Sequence, residues 1–98
     1  MNKSDLAVPS IHLNGTGKDE LVRQLSEAHQ RLQKAREALA LTAPHMRDYY
    51  VQLAADHNYR RARNQHEARL QKIDDVMTDL LDLGIFIQEG GYQGDRKA

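Results

Sequence analysis

Arginine and tyrosine side chains cluster in two short segments near the middle of the 98-residue chain, at 47–50 and 59–63. Arginine offers a planar fork of N–H donors to phosphate oxygens, and tyrosine offers a ring on which a base can stack. The pattern predicts a site for a small anionic nucleotide, and the ligand-binding residues assigned there are Arg47, Tyr49, Tyr50, Tyr59, Arg60 and Arg63. The alternative is structural, because arginines on a long helix usually face solvent or pair at i,i+4, and a tyrosine can close a hairpin core.

A second anion contact is predicted where Asn14-Gly15-Thr16-Gly17 forms a turn before the first helix. The full phosphate-binding loop is missing, because His12 stands where its first glycine belongs and no Ser or Thr follows Lys18. Free N–H groups at a helix N-terminus can still hold a phosphate, so Thr16 and Lys18 join the candidate ligand-binding residues. The simpler interpretation is a turn followed by a capping box formed by Thr16 and Asp19.

Catalytic and metal-binding patterns are not found. The chain has no Cys, which excludes thiol catalysis, disulfides and Cys-based zinc sites. Its five His lack zinc spacing, and His66 is expected instead to form a polar layer between helices. No serine stands in a glycine-flanked elbow. We therefore expect no enzyme, no metal site and no cofactor.

These residues must be positioned by helices, and the sequence predicts a single all-α domain over residues 1–98. The first helix is predicted at 17–42 from a heptad spacing, and Pro44 ends it. The second is predicted at 50–83, with residues 43–49 as the connection, 1–13 as an irregular arm and 88–98 as a flexible tail. The heptad positions of the first helix are Leu21, Leu25, Ala28, Leu32, Ala35 and Leu39.

Two long helices with a short connection predict an antiparallel hairpin. A tight connection would place Leu39 near residues 56–59 and Leu21 near Val76 or Met77, so that residues 80–87 extend beyond the first helix. That overhang is apolar, and we expect it to be covered by the N-terminal arm and by another subunit. The prediction is a homo-oligomer, in which the arm packs on its own hairpin or on a neighbour's.

The charges of the chain balance overall but are segregated along it. Fourteen Lys and Arg match fourteen Asp and Glu, so direct DNA binding is not expected. Residues 30–69 carry eight cations and four anions, whereas residues 74–89 carry five acids and no Lys or Arg. No apolar run is long enough to span a membrane and no signal-peptide core is seen, which predicts a soluble, cytoplasmic protein without a membrane partner.

Two motifs resemble those of small helical proteins encoded by phages and prophages. His12-Leu13-Asn14-Gly15-Thr16 is similar to the "LNGTS" start of that family, and Arg47-Asp48-Tyr49-Tyr50 is similar to its "APNGRDYY" hairpin loop. The similarity spans roughly residues 11–85. Gly17 stands in place of the family's Ser, and Ala43-Pro44-His45-Met46 in place of Ala-Pro-Asn-Gly.

The resemblance implies a phage accessory protein that acts in the host cytoplasm. Together with the Arg and Tyr cluster, it favours an anti-defence protein resembling phage sponge proteins, which sequester nucleotide immune signals without catalysis. Arg47→Ala is then expected to abolish ligand binding. Two alternatives stay open. The first is an anti-CRISPR-like inhibitor that binds a host defence protein through its charged helical surface, and its inhibition would require the acids at 74, 75 and 79. The second is a structural phage assembly protein.

Overall fold

The computed structural model describes residues 6–92 and confirms the all-α prediction. Helix α1 spans Lys18–Ala40, a short 3-10 helix spans Met46–Asp48, and helix α2 spans Ala55–Gln88. The two long helices pack against each other as a hairpin. Within residues 6–92 the extended backbone forms a single isolated bridge and no strand. The molecule is elongated and measures 69 × 25 × 17 Å.

Helix α1 begins one residue later and ends two residues earlier than predicted. Its N-cap is Gly17 with extended backbone, and no side chain caps it, so the predicted capping box of Thr16 and Asp19 is wrong. Asp19 and Glu20 lie in the first turn, where carboxylates interact favourably with the positive helix end. The helix ends at Ala40 because residues 41–43 turn away with short-range backbone hydrogen bonds, shortly before Pro44.

Helix α2 is displaced by five residues at both ends from the predicted range 50–83. Residues 49–54 form turns instead of helix: Tyr50 N–H donates to the Met46 carbonyl and Gln52 N–H to the Tyr49 carbonyl, both at 2.9 Å. At the other end the helix continues through Gly84 to Gln88. A single glycine weakens a helix by only about 1 kcal/mol, so the apolar residues that follow it remain helical.

The register of the hairpin differs from the predicted one. Arg36 of α1 forms a bidentate ion pair with Asp74 of α2, with Nε–Oδ1 at 2.5 Å and Nη2–Oδ2 at 3.1 Å. Residues 80–89 of α2 lie beside residues 22–29 of α1, so the predicted apolar overhang at 80–87 is wrong. The first turns of α2 extend beyond α1 instead, because residues 41–54, called the connection below, fold back along them.

The N-terminal arm folds back onto the end of α2 in the same chain. Tyr92 N–H donates to the Pro9 carbonyl at 2.7 Å, and Ser10 forms an isolated bridge with Gly91. Gly91 has φ +72°, and a Cβ there would lie 2.5 Å from the Pro9 oxygen, so this junction requires glycine. The first part of the predicted flexible tail is thus helical at Gln88 and paired at 91–92. Residues 1–5 of the predicted arm and 93–98 of the tail lie outside the described residues.

The hairpin has a thin core. Among residues 6–92 only Ile87, 1% exposed, and His66, 7% exposed, are buried. The heptad leucines of α1 are half-buried, as expected for two helices that have no third layer. No helix among the described residues is long and apolar enough to cross a membrane.

The Arg36–Asp74 pair gives the stability of the hairpin a defined pH dependence. The Arg36 hydrogen bonds hold the pKa of Asp74 below its ordinary value of 3.8. A depressed carboxyl pKa stabilises the fold above the unfolded-state pKa, and this contribution is lost as pH falls through the folded-state pKa. We therefore expect Asp74→Asn to lower the Tm at neutral pH and to have progressively less effect below pH 3.8.

Thermal denaturation followed by circular dichroism between pH 2.5 and 7 measures this difference. Asp75→Asn is the matched control, because Asp75 is the adjacent acid and contacts only Gln71 of its own helix among the hydrogen bonds described. A Tm difference between wild type and Asp74→Asn that stays constant down to pH 2.5 would contradict the assignment.

Candidate functional site

A polar cavity of about 450 Å³ lies between the connection and α2. This volume falls within the range of small-molecule sites. Its walls combine hydroxyl, amide, imidazole, carboxylate and guanidinium groups. The lining residues are Thr42, Ala43, Pro44, Asp48, Tyr49, Gln52, Ala62, Gln65, His66 and Arg69.

One wall of the cavity is a face of α2. Ala62, His66 and Arg69 recur at helical spacing of four and three residues, which places their side chains on the same side of the helix. Ala62 leaves room between the larger side chains. His66 is buried and lines the cavity together with residues of the connection, instead of forming the predicted polar layer between the two helices.

The connection forms the opposite wall, and local hydrogen bonds hold it. The His45 ring Nδ1 accepts the backbone N–H of Arg47 at 3.1 Å and caps the 3-10 helix that carries Asp48. Asn58 of α2 donates its side-chain N–H to the Gln52 side-chain oxygen at 2.7 Å. These contacts fix the position of the connection on the first turns of α2.

A smaller cavity of about 250 Å³ adjoins the first. The two share Tyr49, Gln52, Ala62 and Gln65, and the smaller one is also lined by Asn58 and Arg61. Arg61 and Arg69 lie eight positions apart on α2, or about 12 Å along its axis. The combined surface therefore has one guanidinium at each end and a tyrosine ring between them.

Three of the predicted site residues contact one another in series beside these cavities. The Tyr49 and Tyr59 rings lie 5.9 Å apart between centroids at an interplanar angle of 57°. The Arg63 guanidinium carbon lies 5.8 Å from the centroid of the Tyr59 ring. Tyr49 lines both cavities, whereas Tyr59 and Arg63 support it from outside.

Three further predicted residues lie near the site but do not line either cavity. Arg47 is exposed on the 3-10 helix directly before Asp48. Tyr50 is exposed in the turn that follows, and Arg60 is exposed on α2. These three face solvent at the same end of the molecule.

Thr16 and Lys18 lie at the opposite end of the hairpin. Lys18 is the first residue of α1, whose 23 residues extend for about 34 Å. Thr16 precedes the helix and is exposed. Within one chain, these two residues cannot contact the same small ligand as the residues of the connection.

The residues that sequence reasoning missed are those of the cavity face of α2, chiefly Arg61, Gln65 and Arg69. Their spacing of four residues indicates a shared helix face, because i and i+4 side chains lie on the same side of a helix. The density of arginine between residues 59 and 63 favours Arg60 and Arg63 instead. Those two lie on other faces of the helix.

The combined surface offers guanidinium groups for an anion, an aromatic ring for stacking, and amide and imidazole groups for hydrogen bonds. Among residues 6–92 no group of three or more His, Cys, Asp or Glu is placed to hold a metal ion. No protein-family model matches the chain, and no curated protein or solved structure matches it.

Proposed function

We propose that this chain binds a small anionic nucleotide, without catalysis, in the cavity between the connection and α2. The observation that carries the proposal is the polar cavity of about 450 Å³ that Tyr49, His66 and Arg69 line. Its volume suits a nucleotide-sized ligand, and it combines a positive charge with an aromatic ring.

Each side chain has a role that follows from its chemistry. Arg69, and Arg61 at the adjoining cavity, would pair with phosphate oxygens. Tyr49 would stack on the base, with its ring held by Tyr59. Gln52, Gln65 and His66 would hydrogen-bond to the polar edge of the base or to the sugar.

The wider role we propose is sequestration of a nucleotide immune signal by a phage-encoded anti-defence protein in the host cytoplasm. The similarity of the LNGT and RDYY motifs to phage proteins supports this role. The proposal includes a homo-oligomer, which the thin core and the exposed apolar residues support. Thr16 and Lys18 take part only in such an oligomer, where a neighbouring copy would bring them to the cavity.

Native mass spectrometry of the full chain with a panel of linear and cyclic mono-, di- and trinucleotides tests this proposal. We expect a discrete oligomer whose mass increases by a whole number of nucleotide masses. The bound nucleotide should keep its own mass, because no reaction takes place. The corresponding nucleosides, which lack phosphate, are the matched control and should not be taken up. Equal uptake of nucleosides, or no uptake from the panel, would contradict the proposal.

Inhibition of a host defence protein is the second candidate, and the exposed apolar side chains of the connection favour it. In one version of this hypothesis the acidic side chains of residues 74–89 imitate a nucleic acid and contact the target protein. Asp74 is paired with Arg36, so Asp75 and Asp79 are the acids whose reversal to Lys should remove inhibition. If a variant with both Asp75→Lys and Asp79→Lys still inhibited the target fully, nucleic-acid mimicry would be excluded.

A further inference from the structure

The connection presents four large apolar side chains to solvent. Three of them, Tyr50, Val51 and Leu53, are between 66% and 109% exposed and lie within four residues of one another. Exposed apolar side chains grouped in this way usually mark a contact surface. Tyr50, Val51 and Leu53 are called the apolar tip below.

The opposite half of the hairpin has an apolar groove of about 380 Å³ between α1 and α2. Its walls include Val22 and Leu25 of α1 and Leu80, Leu81 and Ile85 of α2. Leu81 and Ile85 are each 53% exposed, so the groove is open. Gly84 deepens it, because no atom lies within 4 Å of the position that a Cβ would take there.

The segment that carries the tip has an excess of positive charge, and the α2 wall of the groove has an excess of negative charge. Residues 41–63, which carry the tip, contain four Arg and two Asp. Residues 79–89, which include the α2 wall of the groove, contain three acids and no Lys or Arg, and Asp74 before them is paired with Arg36. The α1 wall does not offset this charge, because Arg23 and Arg31 pair with Glu20 and Glu27 of the same helix.

We infer that the apolar tip of one copy docks in the groove of a second copy, and that the second copy's tip docks in the first copy's groove. The inference rests on the self-association included in the proposed function. Opposite charge around two apolar surfaces favours their contact over tip-to-tip or groove-to-groove pairing, in which like charges would meet.

The geometry allows both contacts in one dimer. Gly84 at the groove and Asn58, which contacts the connection beside the tip, are separated by about 39 Å along the α2 axis. Two copies placed side by side in antiparallel orientation bring each tip to the other copy's groove. This two-fold arrangement forms the tip-to-groove contact twice, so the assembly is a closed dimer with no free tip or groove. If each copy instead docked its tip on the next copy in one direction, the contacts would produce an open chain of subunits.

Disulfide trapping tests this pairing directly, because the chain has no cysteine of its own. Leu53→Cys places a thiol on the tip, and Gly84→Cys places one in open space on the groove floor. The two variants are mixed in equal amounts without nucleotide, oxidised mildly, and analysed by non-reducing electrophoresis and mass spectrometry. Ala35→Cys, at an exposed position near the C-terminal end of α1 and outside the groove, replaces Gly84→Cys in the control mixture.

We expect the mixed Leu53→Cys and Gly84→Cys species to exceed the control mixture by at least tenfold. A homodimer of Leu53→Cys as the main product would show tip-to-tip pairing, and one of Gly84→Cys would show groove-to-groove pairing; either result overturns the inference. Equal yields in the test and control mixtures overturn it as well. Because no nucleotide is present, the outcome is independent of ligand binding.

Discussion

Arg69→Ala is expected to weaken nucleotide binding by about 10- to 100-fold, since removing a hydrogen-bonding partner of a charged group costs about 1.5–3 kcal/mol. Arg69 is the guanidinium that lines the larger cavity beside Tyr49 and His66. Its side chain is exposed enough that the truncation should leave the hairpin folded. Isothermal titration calorimetry with the nucleotide identified by mass spectrometry gives the ratio of dissociation constants.

Arg60→Ala is the matched control for Arg69→Ala. It removes the same charge from the same helix, but Arg60 lines neither cavity. We expect its effect to stay below about threefold, as for a distant charge screened by salt. Equal losses for the two variants would mean that the net charge of the helix, and not the cavity, determines binding.

Arg47→Ala separates the structural proposal from the prediction made on sequence alone. The sequence predicts that this change abolishes binding, whereas the structure places Arg47 outside both cavities. If Arg47→Ala weakened binding more than Arg69→Ala, the nucleotide would lie on the outer surface of the 3-10 helix. The cavity proposal would then be wrong.

Ile87→Ala is expected to reduce the free energy of unfolding by about 2–5 kcal/mol, the usual cost of truncating a buried isoleucine. Ile87 is 1% exposed and is the one buried apolar side chain among residues 6–92. Small domains have only about 5–15 kcal/mol of stability in total, so this loss is a large fraction of it. Urea denaturation followed by circular dichroism at 222 nm measures the change, with the midpoint expected to fall and the slope to stay constant.

Val76→Ala serves as the control for Ile87→Ala. Val76 lies on the same helix, is 47% exposed and does not line the groove. We expect a change of less than about 1 kcal/mol, because little apolar area leaves the core. Equal destabilisation by the two substitutions would show that residue 87 is not the centre of the core.

The heptad spacing of the first helix predicted α1 to within two residues at each end, because apolar periodicity and Pro44 are local properties of the sequence. The register was not predictable in this way. It depends on how the connection packs along α2, through the Tyr49–Tyr59 and Gln52–Asn58 contacts. A tight connection, which the sequence predicts, would give Leu39 and Leu21 other partners on α2 and leave residues 80–87 as an overhang, whereas the observed connection spans residues 41–54.

The sequence predicts the candidate site only in part, because residue types are local and the cavity is not. The residue type of Tyr49 predicts a place in the site, and Tyr49 lines both cavities. Nothing in the sequence distinguishes Arg69 from the other cations of residues 30–69, because its role depends on the cavity that the connection encloses with α2. The chemistry of Thr16 and Lys18 suits an anion, but the length of α1 separates them from the cavity.

The backbone hydrogen bond between Tyr92 and Pro9 joins the two ends of the described chain. The loop that it closes includes both helices, so closing it costs about 2 kcal/mol more entropy than closing the short loops of the contacts around the connection. Contacts between distant positions usually form after local ones. The arm should therefore dock last during folding and detach first during unfolding, so that amide hydrogen exchange at residues 10–11 and 91–92 precedes the opening of the hairpin.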